Sequence, residues 1–132
     1  MPRFWMVRAG EGGRLVSEFE NANCVAIGWK EIGDISQVQS LDEVKVKISK
    51  GYPGDHPSKA ANATAMVWKF KAEMSIGDDV VTYDPTQRKY LVGTIKSDYI
   101  FDEKILSDYN QIRKVKWLGK VSRNNLTASA KN

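Results

Sequence analysis

The sequence predicts an α+β fold: a small, mostly antiparallel β-barrel flanked by two or three helices, in a single domain over residues 1–132. Its length, with 42% apolar and 27% charged side chains, suits one core of ordinary size. Short apolar or β-branched segments alternate with turn residues. Several of these segments are too close together for parallel crossovers, which favours hairpins.

The first third of the chain predicts a strand, a helix and a second strand. Residues 3–9 (RFWMVRA) are aromatic and β-branched, and the glycine-rich residues 10–13 end this strand. The segment over residues 13–20 places three apolar residues on one helical face: Leu15, Val16 and Phe19. Residues 24–28 (CVAIG) form a short apolar run typical of a buried strand, and Trp29 stands at its end.

Two longer helices are predicted in the middle of the chain. Ser40 and Glu43 have the spacing of a capping box, which predicts a helix that runs to about Ser49. After a loop, Pro57 is suited to the first turn of a second helix that ends near Met74. The predicted core face of that helix consists of Ala63, Val67, Phe70 and Met74.

A hairpin and a last strand complete the predicted barrel. Residues 76–79 form a turn into a strand over 80–83, and residues 84–88 form the next turn before a strand over 89–97. The last strand covers residues 112–118.

The last strand alternates in polarity. Lys114 and Lys116 face one way, while Val115 and Trp117 face the other. Arg113 shares the apolar face by parity, but its place near the start of the strand offers its side chain a way to solvent. We therefore expect a basic outer row on this strand.

Charge is concentrated near the C-terminus. Residues 104–123 contain six basic side chains and one acidic side chain, whereas the rest of the chain has 14 basic and 15 acidic ones. Such a patch suits a polyanion such as nucleic acid. The alternative interpretation is an ordinary solvated strand face.

Several classes of protein are disfavoured. No apolar run has the length of a membrane span, and the N-terminus lacks the regions of a signal peptide, so we expect a cytoplasmic protein without a membrane partner. The single cysteine, Cys24, excludes a disulfide framework, and with only one histidine, His56, a Cys/His zinc site is not expected. Common nucleotide-binding and hydrolase motifs are absent. We expect a binding domain with no catalytic residue, metal or cofactor.

Aromatic side chains give a positive indication of function. Trp29 and Tyr83 lie at predicted strand ends, where the mouth of a pocket can form. Flat rings hold an extruded or single-stranded base by stacking. We expect other rings to belong to the core: Trp5, Trp68 and Trp117.

Four segments carry a resemblance to a known family: residues 4–13 (FWMVRAGEGG), 24–29 (CVAIGW), 74–99 (MSIGDDVVTYDPTQRKYLVGTIKSDY) and 112–126 (IRKVKWLGKVSRNNL). They resemble the N-terminal module of Mrr-like restriction endonucleases and related modification-dependent systems. The layout is also similar to the EVE domain, a relative of the PUA domain. The resemblance implies a PUA/EVE-like barrel that reads a modified base in DNA.

The resemblance also implies roles for particular residues. A modified base would be flipped into an aromatic cage walled by Trp29 and Tyr83. The base edge would be bound near the Arg8-Ala9 pair, with Arg8 and Asn62 as hydrogen-bonding side chains and Asp84 as acceptor for an exocyclic amine. The residues implied as phosphate contacts are Lys96, Arg113, Lys114 and Lys116.

The implied partners are modified duplex DNA and a fused or associated nuclease, since the acidic and lysine cluster of an Mrr-type nuclease is not found in this sequence. The domain would then form the N-terminal part of a longer protein. Three alternatives stay open. One is a PUA-like domain that binds RNA or a nucleotide. Another is a small ribonuclease of the ASCH type that uses Lys96, Tyr83 or Arg8. The third is a protein-interaction domain.

Overall fold

The computed structural model describes residues 2–123; residues 124–132, which include the end of the fourth segment quoted above, lie outside the described part. Six strands are present within it: β1 (Phe4–Met6), β2 (Cys24–Ile27), β3 (Asp79–Asp84), β4 (Lys89–Ile95), β5 (Ile100–Phe101) and β6 (Gln111–Ser122). Three α-helices accompany them: α1 (Val16–Ala22), α2 (Leu41–Gly51) and α3 (Pro57–Trp68).

The strands join in the order β1-β3-β4-β6-β2, and β5 also pairs with β6. Only β1 and β3 run parallel, while the other pairs are antiparallel. The sheet curls into a half-barrel, and its two edge strands, β1 and β2, do not pair with each other. The predicted α+β class, the mostly antiparallel sheet and the helices are confirmed, and within residues 2–123 the predicted barrel is a half-barrel.

The N-terminal segment forms a strand, a turn and a helix in the predicted order, but the strand is shorter than the predicted 3–9 and the helix begins at Val16, three residues after the predicted start. Beyond β1, the amide of Val7 still donates to the carbonyl oxygen of Val81 at 3.0 Å. The glycine turn is closed by a hydrogen bond of 2.8 Å from the amide of Leu15 to the carbonyl oxygen of Ala9. Helix α1 ends at Asn23, whose left-handed backbone (φ 52°) redirects the chain into β2.

Helix α2 begins as predicted. The side-chain oxygen of Ser40 accepts from the amide of Glu43 at 3.2 Å. The Glu43 carboxylate accepts in return from the amide of Gln39 at 3.4 Å, one residue before the partner in a standard capping box. The helix continues to Gly51, two residues past the predicted end.

Helix α3 begins at Pro57, and His56 is its N-cap: the ring Nδ1 accepts from the amide of Ser58 at 3.1 Å. A π-helical turn over Lys69–Glu73 prolongs it, so that the helical segment ends at Met74 as predicted. Over residues 2–123, no helix has the length and apolar character needed to cross a membrane.

Strands β3 and β4 form the predicted hairpin, with Tyr83 directly opposite Tyr90. Strand β6 is longer than predicted and carries an irregularity opposite Val92 and Gly93. A methyl group on Gly93 would come within 2.8 Å of the Trp117 ring, so this glycine lets the ring lie across the sheet.

Two apolar clusters stabilise the fold. The first fills the half-barrel and includes these residues: Val7, Leu15, Phe19, Val25, Phe70, Val80, Leu91, Ile95 and Ile112. The second joins α2 and α3 to the loop after β2 through another set: Ile32, Ile35, Val38, Val44, Ile48, Ala63 and Val67. Trp5 and Trp117 pack against the first cluster and Trp68 against the second, as predicted for core rings.

Candidate functional site

A groove lies where the glycine turn after β1 meets the β3–β4 hairpin. It has a volume of about 340 Å³. Its lining consists of Met6, Val7, Arg8, Ala9, Gly10, Gly12, Gly13, Tyr83, Pro85 and Tyr90. The volume falls at the lower end of the roughly 300–1,000 Å³ found for small-molecule sites.

Two tyrosines form the aromatic wall of the groove. Tyr83 and Tyr90 are cross-strand partners, so their side chains share one face of the sheet. Their ring centroids lie 4.9 Å apart with planes tilted by 47°. Tyr90 is buried and Tyr83 is half-buried. Tyr90 therefore supports the Tyr83 ring, which remains open to a ligand.

The glycine turn packs closely against the hairpin turn. Gly13 has φ +74°, and a methyl group there would lie 2.5 Å from Cδ of Pro85. Only glycine permits both this backbone conformation and this approach. The contact fixes one end of the groove.

Arg8 supplies the charge of the groove. It is exposed, and within residues 2–123 its guanidinium makes no hydrogen bond or ion pair. The neighbouring Ala9 is buried, so that only its surface edge contributes to the lining. Arg8, Ala9 and Tyr83, three of the six residues predicted for the base pocket, thus come together in one groove.

Asp84 has a structural role instead. Its carboxylate is buried, and Oδ1 accepts from the amides of Thr86 at 2.9 Å and Gln87 at 3.2 Å. It does not line the groove. The carboxylate holds the hairpin turn, and this position does not support the predicted contact with an exocyclic amine.

Trp29 and Asn62 lie away from the groove lining. Trp29 adopts left-handed backbone angles (φ 61°), a conformation that bulky residues rarely adopt, and its side chain packs against the cluster between α2 and α3. Asn62 is exposed on α3. The expected cage of Trp29 and Tyr83 is not assembled here. Tyr90 stands beside Tyr83 in its place, and only the hairpin register identifies it.

The predicted phosphate contacts divide into two groups. Lys96 and Lys116 are exposed, and neither forms an ion pair within residues 2–123. Lys114 is half-buried, and its Nζ lies 3.4 Å from the carbonyl oxygen of Ala22, where it offsets the negative end of α1. We refer to Lys96 and Lys116 as the lysine pair.

The prediction for Arg113 is wrong. This side chain is only 1% exposed, and its donors bind the carbonyl oxygens of Ser97, Phe70 and Met74 at 2.7–3.0 Å. Burial lowers the pKa of Arg113, an effect opposed by the charges of Asp98 and Asp78. Arg113 is buried because it shares the inner face of β6 with Val115. The carbonyl groups at the end of the α3 segment accept hydrogen bonds from it.

Comparison with known proteins gives a family for this chain. A family model described as a domain of unknown function, DUF8426, matches residues 5–132. The chain belongs to the DUF8426 family. No curated protein and no solved structure matches it.

In this DUF8426 domain, the groove and the lysine pair share one face of the sheet. Lys96 directly follows β4 and continues its pairing with β6. Because side chains alternate along a strand, Tyr90 and Lys96 lie on the same face of the sheet. They are six residues apart, or about 20 Å at about 3.3 Å per residue. Lys116 joins this face because it pairs with Thr94. One surface therefore combines an aromatic groove and a basic end.

The part of the DUF8426 domain covered by residues 2–123 contains no group of three or more His, Cys, Asp or Glu side chains that could hold a metal ion. Cys24 is fully buried in β2, and burial raises the pKa of its thiol to about 11. The thiol is therefore held in its protonated form at neutral pH.

Proposed function

We propose that this DUF8426 domain is a nucleic-acid reader that holds one extruded, modified base of duplex DNA in the groove, and that it directs an associated nuclease to that site. The observation that carries the proposal is the presence of Arg8 and Tyr83 in the same groove. An aromatic face and a fork of donors are the two elements that grip a flipped base.

The aromatic wall supports this reading. Stacking on an aromatic ring contributes about 1–3 kcal/mol per base, which is comparable with the few kcal/mol that unstacking costs. Tyr83 offers a ring whose orientation is fixed by the contact with Tyr90. The resemblance to the N-terminal module of Mrr-like endonucleases supports duplex DNA as the partner and a nuclease as the associated protein.

The lysine pair supports a nucleic-acid partner independently of the groove. A distance of about 20 Å from Tyr90 corresponds to about six steps of B-DNA at about 3.4 Å each. This spacing supports contacts from Lys96 and Lys116 to phosphates about six steps along the duplex from the base. The same distance does not favour a ribonuclease in which Lys96 and Tyr83 act on one bond, since acid and base must both reach the reacting atoms.

The proposal is tested by measuring the affinity of the domain for a panel of duplexes of one sequence at ~150 mM salt. The panel contains an unmodified duplex and duplexes with 5-methylcytosine, 5-hydroxymethylcytosine or N6-methyladenine, together with a single-stranded RNA. We expect one modified duplex to bind at least ~10-fold tighter than the unmodified one, a difference of about 1.4 kcal/mol. Equal binding of all duplexes, or tighter binding of the RNA, contradicts the proposal.

Matched variants assign the preference to the groove. Tyr83→Ala removes the stacking ring, and we expect it to abolish discrimination between duplexes. Tyr109→Ala removes another half-buried ring that does not line the groove, so discrimination should persist. Circular dichroism verifies that both variants are folded.

The salt dependence of affinity tests the lysine pair. Lys116→Ala should reduce the slope of log K against log salt by about 0.9, the value for one lost phosphate contact on duplex DNA. Lys59→Ala is the control, because Lys59 lies on α3 and pairs with Asp55 at 3.6 Å. An unchanged slope in Lys116→Ala would show that Lys116 makes no phosphate contact.

A further inference from the structure

We infer that the groove accepts a base whose edge presents two adjacent hydrogen-bond acceptors, which among the purines means guanine, and that it discriminates against adenine. The inference rests on the proposed function, since it concerns the specificity of the same groove. It follows from the balance of donors and acceptors in the lining.

The donor side of this balance is Arg8. A guanidinium has five N–H donors in a planar fork and no acceptor. Within residues 2–123 no carboxylate or carbonyl group engages this side chain, although it is exposed at the groove. Its donors are therefore available to a ligand.

Three main-chain acceptors of the lining are in use. The carbonyl oxygen of Val7 accepts from the hydroxyl of Thr82, and that of Ala9 accepts from the amide of Leu15 at 2.8 Å. The carbonyl oxygen of Gly10 accepts from the amide of Gly13 at 3.3 Å. Three carbonyl groups that line the groove thus have partners inside the protein.

Side-chain acceptors are equally scarce. The lining contains no Asp, Glu, Asn or Gln. Two carboxylates adjoin lining residues in sequence: Asp84 is occupied by the hairpin turn, and Glu11 is exposed between Gly10 and Gly12 but does not line the groove. Only the tyrosine hydroxyls can accept as well as donate, and a hydroxyl adapts to either kind of partner. Among the side chains of the lining, donors therefore outnumber acceptors.

The consequence for a base follows from the chemistry of its edge. Guanine presents O6 and N7, two adjacent acceptors that match a guanidinium fork. Adenine presents N7 beside an amino group at N6, so that one donor of the fork would face another donor. Because the two purines have nearly the same size, the difference comes from hydrogen bonding and not from the volume of the groove.

The test uses short duplexes that carry one unpaired, bulged nucleotide, since a bulged base costs little to extrude. The bulged base is guanine, adenine or 7-deazaguanine, which lacks the N7 acceptor. We expect the guanine bulge to bind at least ~10-fold tighter than the adenine bulge, and 7-deazaguanine to lose most of this advantage.

Two variants connect the preference to Arg8. Arg8→Met keeps the aliphatic part of the side chain but removes the donors, and it should bring the guanine and adenine bulges within about 2-fold of each other. Arg3→Met removes the same charge near the other end of the N-terminal strand, outside the groove lining, and should preserve the preference. A preference that survives Arg8→Met overturns the inference.

The outcomes separate the inference from the proposed function. If both bulged duplexes bind tighter than the fully paired one, and Tyr83→Ala removes this gain, the groove is a base pocket. In that case equal or tighter binding of adenine overturns the inference alone. If a bulge gives no gain in affinity, the proposed function fails and the inference fails with it.

Discussion

Arg113 donates from Nη2 to the carbonyl oxygen of Met74 at 2.7 Å, and this bond joins β6 to the end of the helical segment that α3 begins. Nη1 binds the carbonyl oxygen of Phe70 at 3.0 Å, and Nε binds that of Ser97 at 3.0 Å. A helix end leaves carbonyl groups without intrahelical partners, and here a buried cation satisfies two of them. Arg113 therefore anchors the end of the helical segment to the half-barrel, together with the apolar packing of Phe70 and Met74.

Arg113→Met should destabilise the domain by about 1–3 kcal/mol for each buried carbonyl group that loses its donor. The substitution leaves the carbonyl groups of Phe70 and Met74 buried without a donor. Urea unfolding measures the effect. Lys116→Met, on the exposed face, should change the free energy of unfolding by no more than about 0.5 kcal/mol. A loss below about 1 kcal/mol in Arg113→Met would contradict this account of the buried arginine.

Asp78 ties the first strand to the turn before β3. Its Oδ1 accepts from the amide of Arg3 at 3.0 Å, and Oδ2 accepts from Nε1 of Trp5 at 2.8 Å and from the amide of Ser75 at 2.9 Å. Desolvation acts to raise the pKa of this carboxyl group, but the hydrogen bonds from Trp5, Arg3 and Ser75 and the charge of Arg3 lower it overall.

The pH dependence of stability follows from that lowered pKa. The unfolded chain binds the proton first, so the contribution of Asp78 is present above its ordinary pKa of 3.8 and is lost as pH falls through the lower folded value. Asp78→Asn should lower the free energy of unfolding by about 1–3 kcal/mol at pH 7, because the NH2 group of the asparagine would face N–H donors where a carboxylate oxygen now accepts. Its stability should also fall less steeply below about pH 4 than that of the wild type. Equally steep acid curves would show that another carboxyl group is responsible.

The elements of the fold were predictable because their signals are local. Ser40 and Pro57 mark helix starts through capping and a fixed φ, and the turn over residues 84–88 defines the hairpin. These features depend on residues within a few positions of one another. Core positions on α3 followed in the same way from helical periodicity.

The site was less predictable because it depends on register and on contacts between distant segments. Tyr90 joins Tyr83 only once the pairing of β3 with β4 is known. Trp29 is directed towards the α2–α3 cluster by a left-handed backbone that the composition of CVAIGW does not reveal. Arg113 finds its acceptors some 40 positions earlier in the sequence, so strand parity alone indicated a face but not a partner.

Cys24 should be inert in the folded domain. It is fully buried, and burial raises the pKa of its thiol from 9.0 to about 11. A thiol reagent at pH 8 should therefore modify the native domain only as it unfolds, at a rate far below that of the urea-unfolded chain. Equal rates would place the thiol at the surface.

The same raised pKa gives Cys24 an effect on stability in alkali. Between about pH 9 and about pH 11 the unfolded chain loses the thiol proton while the folded domain retains it, so stability falls as the pH rises. Wild type should lose about 2 kcal/mol more than Cys24→Ala over this range. The comparison is needed because burial also raises the pKa of Tyr99, to about 12, in both proteins.

Gly13 connects the stability of the fold to the proposed groove. Gly13→Ala should lower the free energy of unfolding by about 1–2 kcal/mol because of the left-handed backbone. Its methyl group would also clash with Pro85, 2.5 Å away. Gly12→Ala has the same backbone cost, but its methyl group would have no atom within 4 Å. The difference between the two variants therefore isolates the contact between the glycine turn and the hairpin turn.

We expect Gly13→Ala to weaken binding of the preferred duplex at least ~10-fold, because the turn must move away from the hairpin and separate Arg8 from Tyr83. Gly12→Ala should bind within about 3-fold of the wild type, equivalent to less than about 0.7 kcal/mol. Titrations well below the unfolding temperature of both variants exclude an effect of unfolded protein. Equal affinities of Gly12→Ala and Gly13→Ala would mean that the Gly13–Pro85 contact does not set the width of the groove, and that Arg8 and Tyr83 are positioned by their strands alone.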